Sequence, residues 1–423
     1  MSRPRAVIVV TGSELVRGDR SDRNGPYLAR EALRLGLEPS RISIVGDRPQ
    51  ELEQALREGM FADLCLVSGG LGPTHDDRTV ELLAAVTGRG LVLDAELERE
   101  IEGVSRLAAE RQGRPYTDFR AGIQKQASLP EGAISLGLAG TAPGIVLDLE
   151  GRAVVALPGP PAELQRLWPR ALDTEPLRRL LWRTSSPGHR VLRFYGVAES
   201  AVAFALEGCG GEGDGLEATV CARDLEVHVD LFYDGAGEAR AETLAAALRR
   251  GFESELFAED ERAIEDLVLA LCERRGFSLA TAESCTGGLI AARLTAVPGA
   301  SNVFKGGVVA YTDSVKEAQL GVPSSVLGRH GAVSAETAEA MAEGARERVG
   351  ADVAVAATGI AGPGGGSEEK PVGRVCLHAS CPGGALATTL NLTGDRTSVQ
   401  RRAAVAGLHL LRRLLAQNRH EAV

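Results

Sequence analysis

Apolar positions in the first part of the chain form short unbroken runs, separated by stretches with helical spacing. AVIVV (6–10), RISIVGD (41–47) and DLCLVSGG (63–70) read as strands. The amphipathic stretches 24–35, 50–60 and 77–86 between and after them read as helices, the first stopped by Gly36. Strands that are apolar throughout are buried on both faces, so this βαβαβα order predicts a parallel sheet covered by helices on both sides. A further helix over 95–112 precedes two strand candidates punctuated by glycine and proline, GTAPGIVLDL and GRAVVALPGPP. The pattern closes a first domain at residue 170.

The pattern changes over 171–258. HRVLRFYG reads as a strand, ESAVAFALEG as a helix, and GLEATVCARDLEVHVDLFYD as two strands around a tight turn at Arg223–Asp224. A helix over 239–250 follows, and βαββα describes a small α+β domain suited to a spacer or dimer surface. From 259 to 423 layered α/β order returns: helix 261–275, strand FSLATAES, a glycine loop, a helix through Leu294, strand VFKGGVVAYT, and helix DSVKEAQL. A helix over 335–349, strand ADVAVAATG, strands RVCLHAS and ALATTLNL, and a final helix over 398–417 complete it.

Composition narrows the functional classes. The 423 residues carry 47 Lys and Arg against 57 Asp and Glu, a net charge of −10, which argues against direct binding of nucleic acid. Seven cysteines without a CxxC pair exclude a zinc ribbon or a disulfide framework and suit a reducing cytoplasm. The longest stretch of the last third free of charged residues, 375–394, contains His378, Pro382 and Asn391 and is no membrane span. Only four of the basic residues are lysines, Lys125, Lys305, Lys316 and Lys370. A lysine kept where arginine is the rule hints at a task guanidinium cannot perform, since only the amine can become a neutral base.

Three glycine-rich segments carry candidate chemistry. Ser68 to Asp77 (SGGLGPTHDD) follows a strand and precedes a helix, at the edge where α/β sheets bind ligands. The amides around Gly69, Gly70, Gly72 and Thr74 suit an anion, and Asp76 and Asp77 are hard donors for a divalent cation. One of the two aspartates also serves as a helix cap. Glu14 and Asn24, behind the first strand, fall at the same edge, and the rigid turn at Thr141 is placed to line a base or ribose. In the last domain, TAESCTGG puts Ser284 and Cys285 between a strand end and a helix opened by Gly287 and Gly288, a turn that exposes a nucleophile and offers amides to an oxyanion. No histidine occupies the glycine loops of this domain. Lys316, directly after the GGVVAY strand, is then the available base in a Ser–Lys pair, with Tyr311 to relay a proton or orient the amine. Cys285 is the rival nucleophile, and a simple N-cap is the plain alternative for Ser284. Thr358 to Ser367 (TGIAGPGGGS) forms a second anion cradle, and Arg396 is placed to clamp a phosphate.

These motifs resemble known families. TAESCTGGLIAARLT, VPGAS, GGVVAYTDSVK, GAVSAETA, ATGIAGPGGGSEEKPVG and GDR are similar to the nicotinamide-nucleotide amidase (PncC) domain. SELVRG, LAREALRLG, VSGGLGPTHDDRTVE, GTAPG and LPGPPAEL resemble the MoaB/MogA-like nucleotide domain. The two in this order around a small middle domain resemble the competence/damage-inducible CinA family. The resemblance implies a MoaB/MogA-like three-layer α/β domain (1–170), a small KH-like α+β domain (171–258) and an α/β amidase domain (259–423). It implies a cytoplasmic, dimeric enzyme of pyridine-nucleotide recycling. The last domain would convert nicotinamide mononucleotide to nicotinate mononucleotide and ammonia without a cofactor. Ser284 would be the nucleophile and Lys316 its base, with Tyr311 and Thr358 assisting. Glu283, Cys285, Thr286, Gly287, Gly288, Gly359, Gly362, Gly364, Gly365 and Arg396 would surround the substrate. The first domain would split ADP-ribose into AMP and ribose 5-phosphate with magnesium or cobalt at Asp76 and Asp77. His75 replaces the acidic residue usual before the aspartate pair, and the asparagine common before GTAPG is missing. Two other readings remain open: pterin or molybdenum-cofactor chemistry in the first domain, and a non-enzymatic adaptor for competence or recombination proteins.

Overall fold

The computed structural model describes residues 3–113, 115 and 120–417. The chain divides into two compact units, Met1–Gly188 and His189–Val423. The first contains β1 (Arg5–Thr11), β2 (Glu38–Val45), β3 (Leu64–Ser68), β4 (Leu91–Leu93), β5 (Ser128–Pro130), β6 (Ile134–Leu138), β7 (Pro143–Asp148) and β8 (Ala153–Leu157). Six of them form one sheet in the order β2-β1-β3-β8-β7-β6. Alternation along each strand sends Val7, Val9 and Val67 into one apolar layer with Leu56 and Leu83, and Ile8, Val10 and Leu66 into another with Leu28 and Trp168. Helices cover both faces, as the runs of apolar residues require.

The three strands of the βαβαβα segment are parallel, as expected, and the later strand candidates add an antiparallel edge. The pairs β1–β2, β1–β3 and β3–β8 are parallel, whereas β7–β8 and β6–β7 are antiparallel. The reason lies at Glu150 and Gly151, with φ of 51° and 97°. Two consecutive left-handed residues close a tight hairpin whose twist matches the flanking strands, so no crossover helix intervenes. The helix Glu175–Leu181 also belongs to this unit, its Leu177 and Leu180 packing in the second apolar layer.

The second unit opens with β9 (Gly188–Tyr195), β10 (Leu216–Arg223), β11 (Glu226–Tyr233) and β12 (Leu256–Ala258), a sheet in the order β10-β11-β9-β12. Helices Glu199–Gly208 and Glu238–Gly251 share its core through Val202, Leu206, Leu244 and Leu248. Then come β13 (Leu279–Glu283), β14 (Phe304–Val309), β15 (Val353–Gly359), β16 (Arg374–Cys381) and β17 (Gly384–Asn391), in the order β14-β13-β15-β16-β17. The first three are parallel and the last two antiparallel. Alternate residues again sort by face. Leu279, Val353 and Val355 pack with helices Ile264–Arg274 and Arg396–Gln417, whereas Ala280, Ala282, Ala354 and Ala356 pack with helix Ala335–Val349.

A buried polar contact joins the smaller sheet of this unit to the last helix. The Glu226 carboxylate, on β11, accepts hydrogen bonds from His228 at 2.9 Å and from His409 of the last helix at 2.8 Å. The His409 ring is fully buried and stacks on Tyr195 with centroids 3.8 Å apart. Among the described residues no helix is long and apolar enough to cross a membrane.

Candidate functional site

Three strand exits meet at the carboxyl edge of the second unit's larger sheet. Glu283, the last residue of β13, pairs with Val309 of β14 and Ala357 of β15. The ladder runs one step further, with the Ser284 amide donating to the Ala357 carbonyl at 2.8 Å and the Ala310 amide to the Glu283 carbonyl at 2.8 Å. Ser284, Tyr311 and Thr358 therefore leave neighbouring strands together. Continued alternation puts Ser284 and Thr358 on the face of Ala282 and Ala356, the same face that packs Leu320 of helix Asp313–Leu320, which carries Lys316.

Lys316 is the exceptional side chain. It is only 1% exposed, among the largest fully buried side chains of the chain. Its Nζ donates to the Tyr311 carbonyl at 3.3 Å and lies 3.6 Å from the Asp313 carboxylate. Burial pushes its pKa below the ordinary lysine value, and Asp313 opposes that shift only in part. The Tyr311 carbonyl that holds the amine follows directly on Ala310, whose amide bonds the Glu283 carbonyl, so Lys316 is tied to the strand exit next to the one that leads into Ser284. The hydroxyl of Ser284, itself 7% exposed, makes no hydrogen bond among the described residues, so the direct Ser284–Lys316 bond is not formed in this state.

The rest of the turn is held from within. Glu283 is buried, and its carboxylate accepts from the amides of Gly288 (3.0 Å), Ile290 (3.1 Å) and Ala291 (2.8 Å). It thus caps helix Leu289–Thr295 and is not free for a ligand. Gly288, at φ 100°, takes the left-handed conformation that lets the chain enter this helix. Cys285 is buried in the apolar core, and burial pushes its thiol up to about 12, so it is neutral near pH 7. The hydroxyl oxygen of Thr286 is buried and has no hydrogen-bond partner among the described residues.

Around the turn, Thr358 donates its hydroxyl to the Ala332 carbonyl at 2.6 Å. Gly359 faces β16 so closely that a Cβ would lie 2.7 Å from the Arg374 carbonyl oxygen. The loop over Gly362, Gly364 and Gly365 follows, and Lys370 ties it to the His330 carbonyl at 2.6 Å. Arg396 donates to the Gly362 carbonyl at 2.8 Å and to the Tyr311 hydroxyl. Gln400, one turn on, donates to the Cys285 carbonyl at 2.8 Å. Sequence reasoning passed over Gln400, although its four-residue spacing from Arg396 puts both on one helix face.

In the first unit the expected residues separate into two clefts. One, of about 220 Å³, is lined by Gly70, Gly72, Asp77, Lys125 and Gln126. The other, of about 680 Å³, is lined by Glu14, Asn24, Ser68 and Gly159. Asn24 is buried and donates to Ser68 Oγ at 2.9 Å and to the Gly159 carbonyl at 2.7 Å. Gly69 sits at φ 103° against the Thr11 carbonyl, and the Thr141 carbonyl accepts from Gln126 at 3.0 Å. Asp76 and Asp77 both bond the Thr74 hydroxyl, the second at 2.5 Å, and the Thr74 hydrogen bond is the main cause holding the Asp76 carboxyl below the usual range. Lys125 donates to the Thr74 carbonyl. His75 points into solvent. Among the described residues, no group of three or more His, Cys, Asp or Glu side chains is arranged to hold a metal ion.

Comparison with known proteins finds a different family at each end of the chain. A family model described as CinA C-terminal domain matches residues 261–415, and one described as a probable molybdopterin binding domain matches residues 7–176. A CinA-like protein of Mycobacterium sp. (strain JLS) is 44% identical over 420 residues, 97% of this chain and 99% of that protein. A CinA-like protein of Mycobacterium tuberculosis (strain ATCC 25177 / H37Ra) is 42% identical over 424 residues, covering 97% of each. Among solved structures, the competence/damage inducible protein CihA of Agrobacterium tumefaciens is 42% identical and matches over its whole length, 38% of this chain, with a TM-score of 0.36. The chain belongs to the CinA-like protein family.

Proposed function

We propose that residues 259–423 hydrolyse the carboxamide of nicotinamide mononucleotide to nicotinate mononucleotide and ammonia. The observation that carries this reading is the buried Lys316 amine, depressed in pKa and held by the Tyr311 carbonyl at the exit of β14, the strand that pairs with β13 before Ser284. In the neutral form this amine takes the Ser284 proton as the oxygen attacks the carboxamide carbon. The new C–O bond forms and charge moves to the carbonyl oxygen. Collapse breaks the C–N bond, the ammonium of Lys316 protonates the departing nitrogen, and water then cleaves the acyl-serine. Thr358 and the Arg396–Tyr311 pair border this reaction space. The neutral, core-packed Cys285 thiol favours the hydroxyl over the thiol as nucleophile.

Ammonia release from nicotinamide mononucleotide by the full chain tests the reading. Turnover by the unsubstituted protein and by Cys285→Ala, with loss of about a thousandfold or more in Ser284→Ala, is expected. Undiminished turnover in Ser284→Ala would remove the hydroxyl from the mechanism.

For residues 1–170 we propose hydrolysis of the diphosphate of ADP-ribose to AMP and ribose 5-phosphate. The two carboxylates that converge on the Thr74 hydroxyl, Asp76 and Asp77, would be the residues to hold a divalent cation such as magnesium or cobalt. Such a cation would neutralise diphosphate charge. The chain itself supplies Lys125 and the amides of Gly70 to Gly72 to orient the phosphates, the Gly69 amide being taken by the Leu157 carbonyl at 3.0 Å. The match to a molybdopterin-binding model favours a second reading of this unit, a pterin ligand in place of ADP-ribose. AMP release from ADP-ribose with magnesium or cobalt separates the two, because a pterin-binding unit gives none.

A further inference from the structure

The first two turns of the last helix reach all three strand exits of the candidate amidase site. Arg396 holds the Gly362 carbonyl after β15 and the Tyr311 hydroxyl after β14. Gln400 donates to the Cys285 carbonyl after β13 at 2.8 Å. The helix is a firm base for these contacts, since Val399, Ala403 and Ala404 are fully buried in the core.

The bond to Cys285 acts on one particular peptide. The carbonyl of Cys285 and the amide of Thr286 belong to the same planar unit and point in opposite directions. A donor that fixes the carbonyl on one side therefore aims the N–H on the other, and polarises it. Among the described residues no oxygen accepts from the amides of Cys285 or Thr286; their one neighbour is the Cys285 sulfur, a weak acceptor that a charged oxygen would outcompete. These two amides directly follow Ser284, where an attacked carbonyl would develop its negative charge.

We propose that Gln400 is a positioning residue for the nucleophile turn. Through the Cys285 carbonyl it aims the Thr286 amide, with that of Cys285, at the oxyanion formed on the carboxamide. This rests on the amidase reading above. Its effect belongs to the transition state, where charge reaches the oxygen, and not to nucleotide binding.

The test compares full-length Gln400→Met and Gln400→Glu, which keep side-chain length and lack the amide donor at neutral pH, with the unsubstituted chain. The expected result is a fall in kcat for nicotinamide mononucleotide of about tenfold or more, with KM changed less than about twofold and an unshifted Tm. A second arm measures the rate at which a fluorophosphonate labels Ser284. Its P=O group uses the same donors and needs no nucleotide, and labelling should slow by a similar factor. Unchanged kcat together with unchanged labelling would overturn the proposal. So would a kcat loss that only tracks a lowered Tm and vanishes on cooling. Absent ammonia release by the unsubstituted chain would strike the amidase reading, and the labelling arm would still decide the role of Gln400.

Discussion

Acidification should loosen the second unit through His409, by an amount that follows from its surroundings. The ring is completely buried, and burial lowers its pKa from 6.5 to about 4, with the Arg412 and Arg293 charges adding to the effect and Glu226 opposing it. Its Nδ1 has no partner among the described residues, so the neutral ring carries its proton on Nε2 and donates it to the ionised Glu226. Because the folded pKa lies below the unfolded one, the unfolded chain binds the extra proton first as pH falls. Stability is then lost from about pH 6.5 down to about pH 4 and levels off below. At about 1.4 kcal/mol per pKa unit, about 2 kcal/mol is gone at pH 5 and about 3 kcal/mol at the plateau. Glu226, lowered to about 2, adds its own loss only below its ordinary value of 4.5. His409→Gln keeps a donor toward Glu226 without a titrating ring, and should flatten the profile between pH 7 and 5. Urea unfolding followed by far-ultraviolet circular dichroism measures this. Trp168 and Trp182, the only tryptophans, both lie in the first unit, so their fluorescence serves as an internal control. An equal loss of stability between pH 7 and 5 in His409→Gln and the unsubstituted chain would refute the reasoning.

Other outcomes follow from the same structure. Lys316→Arg should abolish amide hydrolysis although it keeps the charge, because guanidinium cannot accept the serine proton; the ammonia assay checks this, and near-normal turnover would leave Lys316 an electrostatic role at most. The acid limb of the rate profile should rise with pH around a value below that of ordinary lysine, since burial lowers the Lys316 pKa; a limb at the ordinary value would place the amine in solvent. In the native protein iodoacetamide should modify the exposed Cys209 and Cys221 and spare Cys65, Cys272 and Cys285, whose buried thiols are each pushed up to about 12, as peptide mass spectrometry would read out. Chelator should silence AMP release from ADP-ribose while sparing ammonia release, and Asp77→Asn should lower the first rate alone.

Much of this architecture was legible because local signals agreed. Unbroken apolar runs gave the central strands, and glycine with helical spacing gave the loops and helices that follow them. The helix over Ala335–Val349 and the strands around Ser284 fall where the pattern puts them. Strand direction was harder: the Glu150–Gly151 hairpin carries a readable turn signal, yet the two flanking apolar runs look like any parallel pair. Short elements such as β4, β5 and helix Ser324–His330 carry too few residues for a period to emerge. At the site, residue types announced Ser284 and Lys316, whereas partners depended on tertiary structure. No spacing rule says that Glu283 caps the next helix, that Arg396 binds the Gly362 carbonyl and Tyr311, or that Glu14 and Asn24 line a different cleft from Asp77.

The central claim is that the oxygen of Ser284, and not the sulfur one residue on, carries the acyl group. Rapid quenching of the full chain during turnover of nicotinamide mononucleotide, followed by fragmentation of the peptide spanning both residues, locates that group directly. The account predicts a nicotinate mononucleotide acyl mass on Ser284 that is absent from Ser284→Ala. An acyl group on Cys285, or steady ammonia release from Ser284→Ala, would contradict it.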